Sequence, residues 1–176
     1  MSNPYASPDP QGNTESSEAL KQNVRGMQII TFAMVMGATI ALGIMLAVNG
    51  GKVDGEPDFL AWFGLGMAAF MFAQHLIIPP TIVNNQLKGL TAESLKTSSD
   101  DEKLMAVLGP IRGGHIIACA LLEGAAFMNV VFYMATDYIG NVIAAAILTL
   151  LIVLKIPTVF GMQNKVTDRL REIEMR

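Results

Sequence analysis

The sequence predicts an all-α fold: a bundle of four transmembrane helices built from two similar helical hairpins, with both termini cytoplasmic. Three observations carry this expectation. Four apolar runs have spanning length, the basic residues are distributed one-sidedly, and the first half of the chain resembles the second. Hydrophobic residues make up 52% of the 176 residues and charged residues 15%, where a soluble domain has about 25% charged residues. Mean hydropathy is +0.44.

A helix crosses the hydrocarbon core with about 20 mostly apolar residues. The runs that meet this length are 27–48, 59–78, 111–135 and 138–160. The first, MQIITFAMVMGATIALGIMLAV, has no charge. Pro57 and Asp58 open the second as a first-turn and N-cap pair. The third contains Glu123. The fourth, built on NVIAAAILTLLIVL, is interrupted only by Lys155 and Pro157. The first run starts too far along the chain to resemble a cleavable leader. Twelve methionines suit adaptable packing between helices. The single Cys119, inside an apolar run, reads as a buried, inert thiol.

Orientation follows from the basic residues. Lys21 and Arg25 precede the first run. Lys88, Lys96, Lys103 and Arg112 lie between the second and third, and Lys155, Lys165, Arg169, Arg171 and Arg176 close the fourth and follow it. Only Lys52 falls on the other side, in NGGKVDGEPD. Such an asymmetry places both termini and the 81–110 loop in the cytoplasm by the positive-inside rule. The expected location is the inner (cytoplasmic) membrane.

The flanking segments are polar. Residues 1–26, rich in Pro, Ser, Asn and Gln, are expected to form a disordered cytoplasmic tail. Within the 81–110 loop, Ser99 and Glu102 form a capping box that opens a short amphipathic helix. Gly109-Pro110 is expected to close that helix and start the third span. Residues 164–176 are expected to carry the fourth span into the cytoplasm as a charged helix.

The parallel internal repeat aligns VRGMQIITFAMVMGATI (24–40) with IRGGHIIACALLEGAAF (111–127) without gaps. Arg25 falls on Arg112, Gly37 on Gly124 and Met36 on Glu123. After the second run, Pro80-Thr81 falls on Pro157-Thr158. Arg-Gly and Pro-Thr matches at both ends point to duplicated hairpins. The fold therefore does not require Glu in both halves.

Glu123 is the candidate site. An ionised carboxylate in hydrocarbon is costly, so this residue is neutral, paired or facing a polar cavity. Two readings stand side by side: a protonatable or ion-binding group, and a neutral acid donating an interhelical hydrogen bond, to a backbone carbonyl, Thr39 or Gln74. Arg112, His115, Gly124, Asn129 and Tyr133 are the candidate supporting residues, with Arg25, Met36 and Gly37 as repeat counterparts. His115 lies two turns from Glu123, too far for a direct bond. No metal site is expected, because the two histidines lack ligand spacing and no second membrane acid accompanies Glu123. The pattern calls for no organic cofactor and no nucleic-acid partner. The ligand it admits is H+ or Na+ at Glu123.

At RGGHIIACALLEGAAFMNVVFYM the chain resembles the second helix of subunit c, the proteolipid of rotary ATP synthases. In that family a loop Arg is followed about eleven residues later by the ion-binding carboxylate in a small-residue setting. The likeness covers about residues 109–135, with Arg112 and Glu123 in the corresponding places, and implies that Glu123 is a proton or sodium site. The expected function is a small, non-enzymatic, polytopic membrane protein, homo-oligomeric or a subunit with other membrane proteins. The alternative is a proteolipid-like proton or sodium translocation subunit. A more distant one, a membrane-bound lipid-active enzyme, rests on a polar cluster of His75, Asn84, Asn85, Gln86, Arg112, Gln163 and Asn164.

Overall fold

The computed structural model describes residues 12–175. Among these described residues six helices follow in order: α1 Gly12–Val48, α2 Phe59–Leu87, α3 Ala92–Lys96, α4 Asp100–Thr136, α5 Ile139–Val153 and α6 Val159–Glu174. Among the described residues the only strand-like pairing is an isolated bridge between Asp54 and Tyr138. Helices α1, α2 and α4 are long and apolar enough to cross a membrane, and α5 is a shorter apolar helix. The large side chains left exposed are what a lipid-facing surface requires: Ile29, Phe32, Ile40 and Ile44 on α1, and Phe59, Trp62, Phe70 and Ile77 on α2.

Helix α4 is the hub, packing against α1, α2, α5 and α6. Its middle contributes Cys119, Leu122, Ala125 and Ala126 to a core with Ala38, Ala68, Leu148 and Ile152. Four alanines in this core let helix backbones approach closely, which is how helices associate where lipid offers no hydrophobic driving force. At Gly114, α4 packs closely against α2. A Cβ there would run into Val83 Cγ2 and would lie 3.3 Å from the Pro79 carbonyl oxygen.

A second core closes the end of the bundle that carries most of the basic residues. It joins Leu20, Val24 and Met27 of α1 to Leu87, Leu95, Val107, Leu108, Met162, Val166 and Ile173. This core accounts for several departures from the sequence expectations. The expected disordered tail, 1–26, is instead helical from Gly12, because Leu20, Val24 and Met27 line one helical face and are buried. Residues 1–11 of that tail lie outside the described residues. Helix α4 begins at the Ser99 cap, with the Ser99–Glu102 box in place, but runs unbroken through Gly109-Pro110. Val107 and Leu108 are buried just before the proline, and packing holds the helix where Pro110 removes one backbone donor.

The 81–110 loop is likewise mostly helical. Helix α2 continues through Pro79 and Pro80 to Leu87, and Thr91 and Ser94 form a capping box that starts α3. The fourth run differs most. Helix α5 stops at Val153, so its 15 residues extend about 22 Å, short of the roughly 30 Å hydrocarbon core. Pro157 has no N–H and disfavours helical backbone at Ile156. Thr158 then caps a new helix, accepting a hydrogen bond from the Gly161 N–H at 3.1 Å. Helix α6 is therefore no free extension of α5. Its apolar face, Met162, Val166 and Ile173, packs into the second core.

The opposite end is tied by its loop. Tyr133 donates its hydroxyl to the Lys52 carbonyl at 2.7 Å, and Asn49 Nδ2 donates to Asp137 Oδ1 at 2.7 Å. Asp137 adopts φ 52° in the turn between α4 and α5. Its carbonyl accepts from the Gly55 N–H at 3.2 Å. Gly55 is required by this approach, since a Cβ there would collide with the Thr136 carbonyl.

Candidate functional site

Glu123 lies at the seam between α1 and α4 and is half-buried. Its Oε1 is 3.4 Å from the point a Cβ would occupy on Gly37. Phe127, one turn further along α4, brings its Cζ to 3.6 Å from the same point. Gly37 thus faces the two α4 side chains spaced i, i+4 on one helix face, and even a Cβ there would meet them only at ordinary contact distance. Around Gly124 the space is open, with no atom within 4 Å of an added Cβ. Among the described residues, no hydrogen bond or ion pair reaches the Glu123 carboxylate. Thr39, one of the partners considered for it, donates instead to its own helix at Val35 O, 2.7 Å away.

The two aligned segments contribute differently here. Gly37 adjoins the carboxylate, whereas Met36, the residue aligned with Glu123, is 41% exposed on the outer face of α1. Arg25 is exposed at the basic end. Arg112 lies there too, donating from Nη1 to Asn23 Oδ1 at 3.3 Å. Neither arginine is at Glu123.

His115 takes part in a different interaction. Its Nε2 lies 3.0 Å from Thr31 Oγ1 and 3.7 Å from Cys119 Sγ. Thr31 Oγ1 also lies 2.8 Å from the Met27 carbonyl, to which it donates. Thr31 is buried, which makes this a polar clamp between α1 and α4. His75 makes the matching tie between α2 and α4. Its Nδ1 lies 3.0 Å from the Ala118 carbonyl oxygen, which only accepts, so Nδ1 carries the proton there.

Asn129 and Tyr133 are fully buried. Asn129 Nδ2 donates to the Ala125 carbonyl at 2.9 Å, and its Oδ1 is buried without a hydrogen-bond partner. Tyr133 secures the loop at Lys52. Of the residues expected to support Glu123, only its chain neighbour Gly124 adjoins it, while Gly37, expected only as a repeat counterpart, lies against its carboxylate. His115, Arg112, Asn129 and Tyr133 serve other contacts.

The Thr31 and His75 contacts had only a weak sequence signal, a polar side chain inside an apolar run. In a membrane helix that signal calls for a named partner, but partners 84 and 43 residues away depend on how the helices pack. Gln28 behaves similarly: its Nε2 donates at 2.8 Å to the Pro157 carbonyl, where α5 has ended. In the polar cluster considered for lipid chemistry, His75 is buried against α4 while Asn84, Asn85, Gln86, Gln163 and Asn164 are exposed. Among the described residues no group of three or more His, Cys, Asp or Glu side chains gathers. No family model, curated protein or solved structure matches the chain.

Proposed function

We propose that this chain is a small polytopic protein of the inner membrane, non-enzymatic, working as a homo-oligomer or as a subunit beside other membrane proteins. Glu123 is its protonatable residue, exchanging a proton or holding Na+. The observation that carries the reading is the Glu123 carboxylate at Gly37, half-buried and met by no donor among the described residues. A carboxylate so placed in hydrocarbon is stable as the neutral acid or beside a cation. Gly37 and Gly124 leave it sterically accessible.

The one-sided basic residues support cytoplasmic termini, and the common end shared by α6 and the first turns of α1 fits that orientation. The fourth crossing in this reading is α5 with Leu154–Ile156 beside it, shortened and flanked by Lys155. The Arg-Gly and Pro-Thr matches support two duplicated hairpins, the second specialised by Glu123.

A second reading, a proteolipid-like translocation subunit, is favoured by the surface around the carboxylate. Ala120, Gly124, Phe127, Met128 and Val131 are exposed beside Glu123, so a neighbouring subunit could present a donor or cation to it laterally. The variant Glu123→Gln separates the possibilities. Unchanged assembly on size-exclusion chromatography with lost proton or sodium flux in proteoliposomes supports translocation. Unchanged assembly with no wild-type flux leaves the non-transporting subunit. Loss of assembly assigns Glu123 to helix packing and overturns the ion site.

A further inference from the structure

Two adjoining clefts open at the basic end, away from Glu123. The larger, about 510 Å³, lies between α2, α4 and α6, with Pro79, Val83, Ile111 and Ala118 forming an apolar wall. The smaller, about 340 Å³, surrounds the turn from α5 to α6. Both are lined by His115, Lys155, Met162 and Lys165.

Their charges are unequal. Asp168, Arg169 and Glu172 line only the larger cleft, and Arg169 is already paired with Glu172 at 2.7 Å. The smaller cleft has no carboxylate in its lining, and its charged groups are Lys155 and Lys165. Among the described residues neither lysine's ammonium group makes a hydrogen bond or ion pair. Thr158 and Gly161, in the capped first turn of α6, line the same cleft. Amides of a helix's first turn lack intrahelical acceptors and add partial positive charge. Two unpaired ammonium groups in a shared concavity attract an anion with several oxygens.

We propose that the paired clefts bind the phosphate of an anionic phospholipid headgroup between Lys155 and Lys165, with its glycerol and acyl portion along the Pro79–Val83–Ile111 wall. The shared chemistry is a phosphate-bearing anion. Position selects lipid over free phosphate, because the lysines stand where apolar α5 gives way to charged α6 and an apolar wall continues from them. Basic pockets between membrane helices bind lipid headgroups by the same physics. This site is independent of the reading of Glu123.

The test is native mass spectrometry of the full chain in detergent, titrated with phosphatidylglycerol, phosphatidylcholine or millimolar inorganic phosphate. Wild-type protein is expected to retain phosphatidylglycerol over phosphatidylcholine. The double variant Lys155→Gln/Lys165→Gln is expected to weaken phosphatidylglycerol binding by about 30-fold, as removal of two surface cations does. Lys155→Arg/Lys165→Arg is expected to restore it, and Lys88→Gln/Lys96→Gln to leave it unchanged. Circular dichroism melts check that each variant is folded. Equal retention of the two lipids, or loss of binding in the Lys88→Gln/Lys96→Gln control as large as in the double variant, overturns the proposal. Displacement of bound phosphatidylglycerol by inorganic phosphate overturns the lipid assignment and makes free phosphate the ligand.

Discussion

Glu123 Oε1 lies 3.4 Å from where a side chain would begin on Gly37, so a glycine on α1 sets the space available to the carboxylate of α4. Replacing Gly37 by Ala adds a methyl group at ordinary contact distance and is expected to leave the fold intact. Gly37→Leu fills the seam. Carbodiimide labelling of Glu123 is expected to fall severalfold in Gly37→Leu and to change little in Gly37→Ala, read by intact-mass spectrometry of the labelled protein.

The clamp between Thr31 and His115 joins the two helices that frame this seam. Thr31→Val keeps the side-chain volume but removes the hydroxyl 3.0 Å from His115 Nε2. Interhelical hydrogen bonds in membranes average about 0.6 kcal/mol, and a loss of that order is expected in unfolding titrations. His75→Phe, which removes the donor to Ala118 O, is expected to cost more, because it also leaves a larger ring in a buried site.

Helices α2 and α4 meet at Gly114. Gly114→Ala forces Val83 aside and is expected to destabilise the fold by about 1–3 kcal/mol, the usual range for overpacking. Val83→Ala in the same chain removes the obstructing Cγ2, so the double variant is expected to recover most of the loss. Thermal unfolding in detergent, measured on both single variants and the pair, gives the coupling directly.

At the opposite end, Tyr133→Phe deletes the hydroxyl that reaches the Lys52 carbonyl. The expected loss is about 1 kcal/mol of stability. Limited proteolysis is expected to cut the 49–58 loop faster in this variant, since one of its ties to α4 is gone.

How far the sequence revealed this arrangement depends on the range of each interaction. The Asp58 cap, whose side chain accepts from the Ala61 N–H at 2.8 Å, and the Ser99–Glu102 box act within one turn and could be read directly. The helical start of α1 could be read less directly: Leu20, Val24 and Met27 stand at i, i+4 and i+7, an apolar face obscured by polar neighbours. The passage of α4 through Pro110 and the return of α6 onto the second core could not be read locally. Burial among distant residues overrides the signal of Pro110 in α4, whereas Pro157 does break the helix and burial then decides where α6 packs. Glu123 itself was evident as the one acid in an apolar run. Its neighbour Gly37 was marked only as the repeat counterpart of Gly124, and their meeting depends on the register between α1 and α4.

The central claim is that Glu123 is a protonatable group open to exchange, and its carbodiimide reactivity measures that most directly. The reagent attacks a protonated carboxyl accessible from an apolar phase, and mass spectrometry locates the adduct. The account predicts one adduct at Glu123 near neutral pH, absent in Glu123→Gln and slowed as pH rises or, for a sodium site, as Na+ is added. An unreactive Glu123 in folded protein, or labelling insensitive to both pH and Na+, contradicts it.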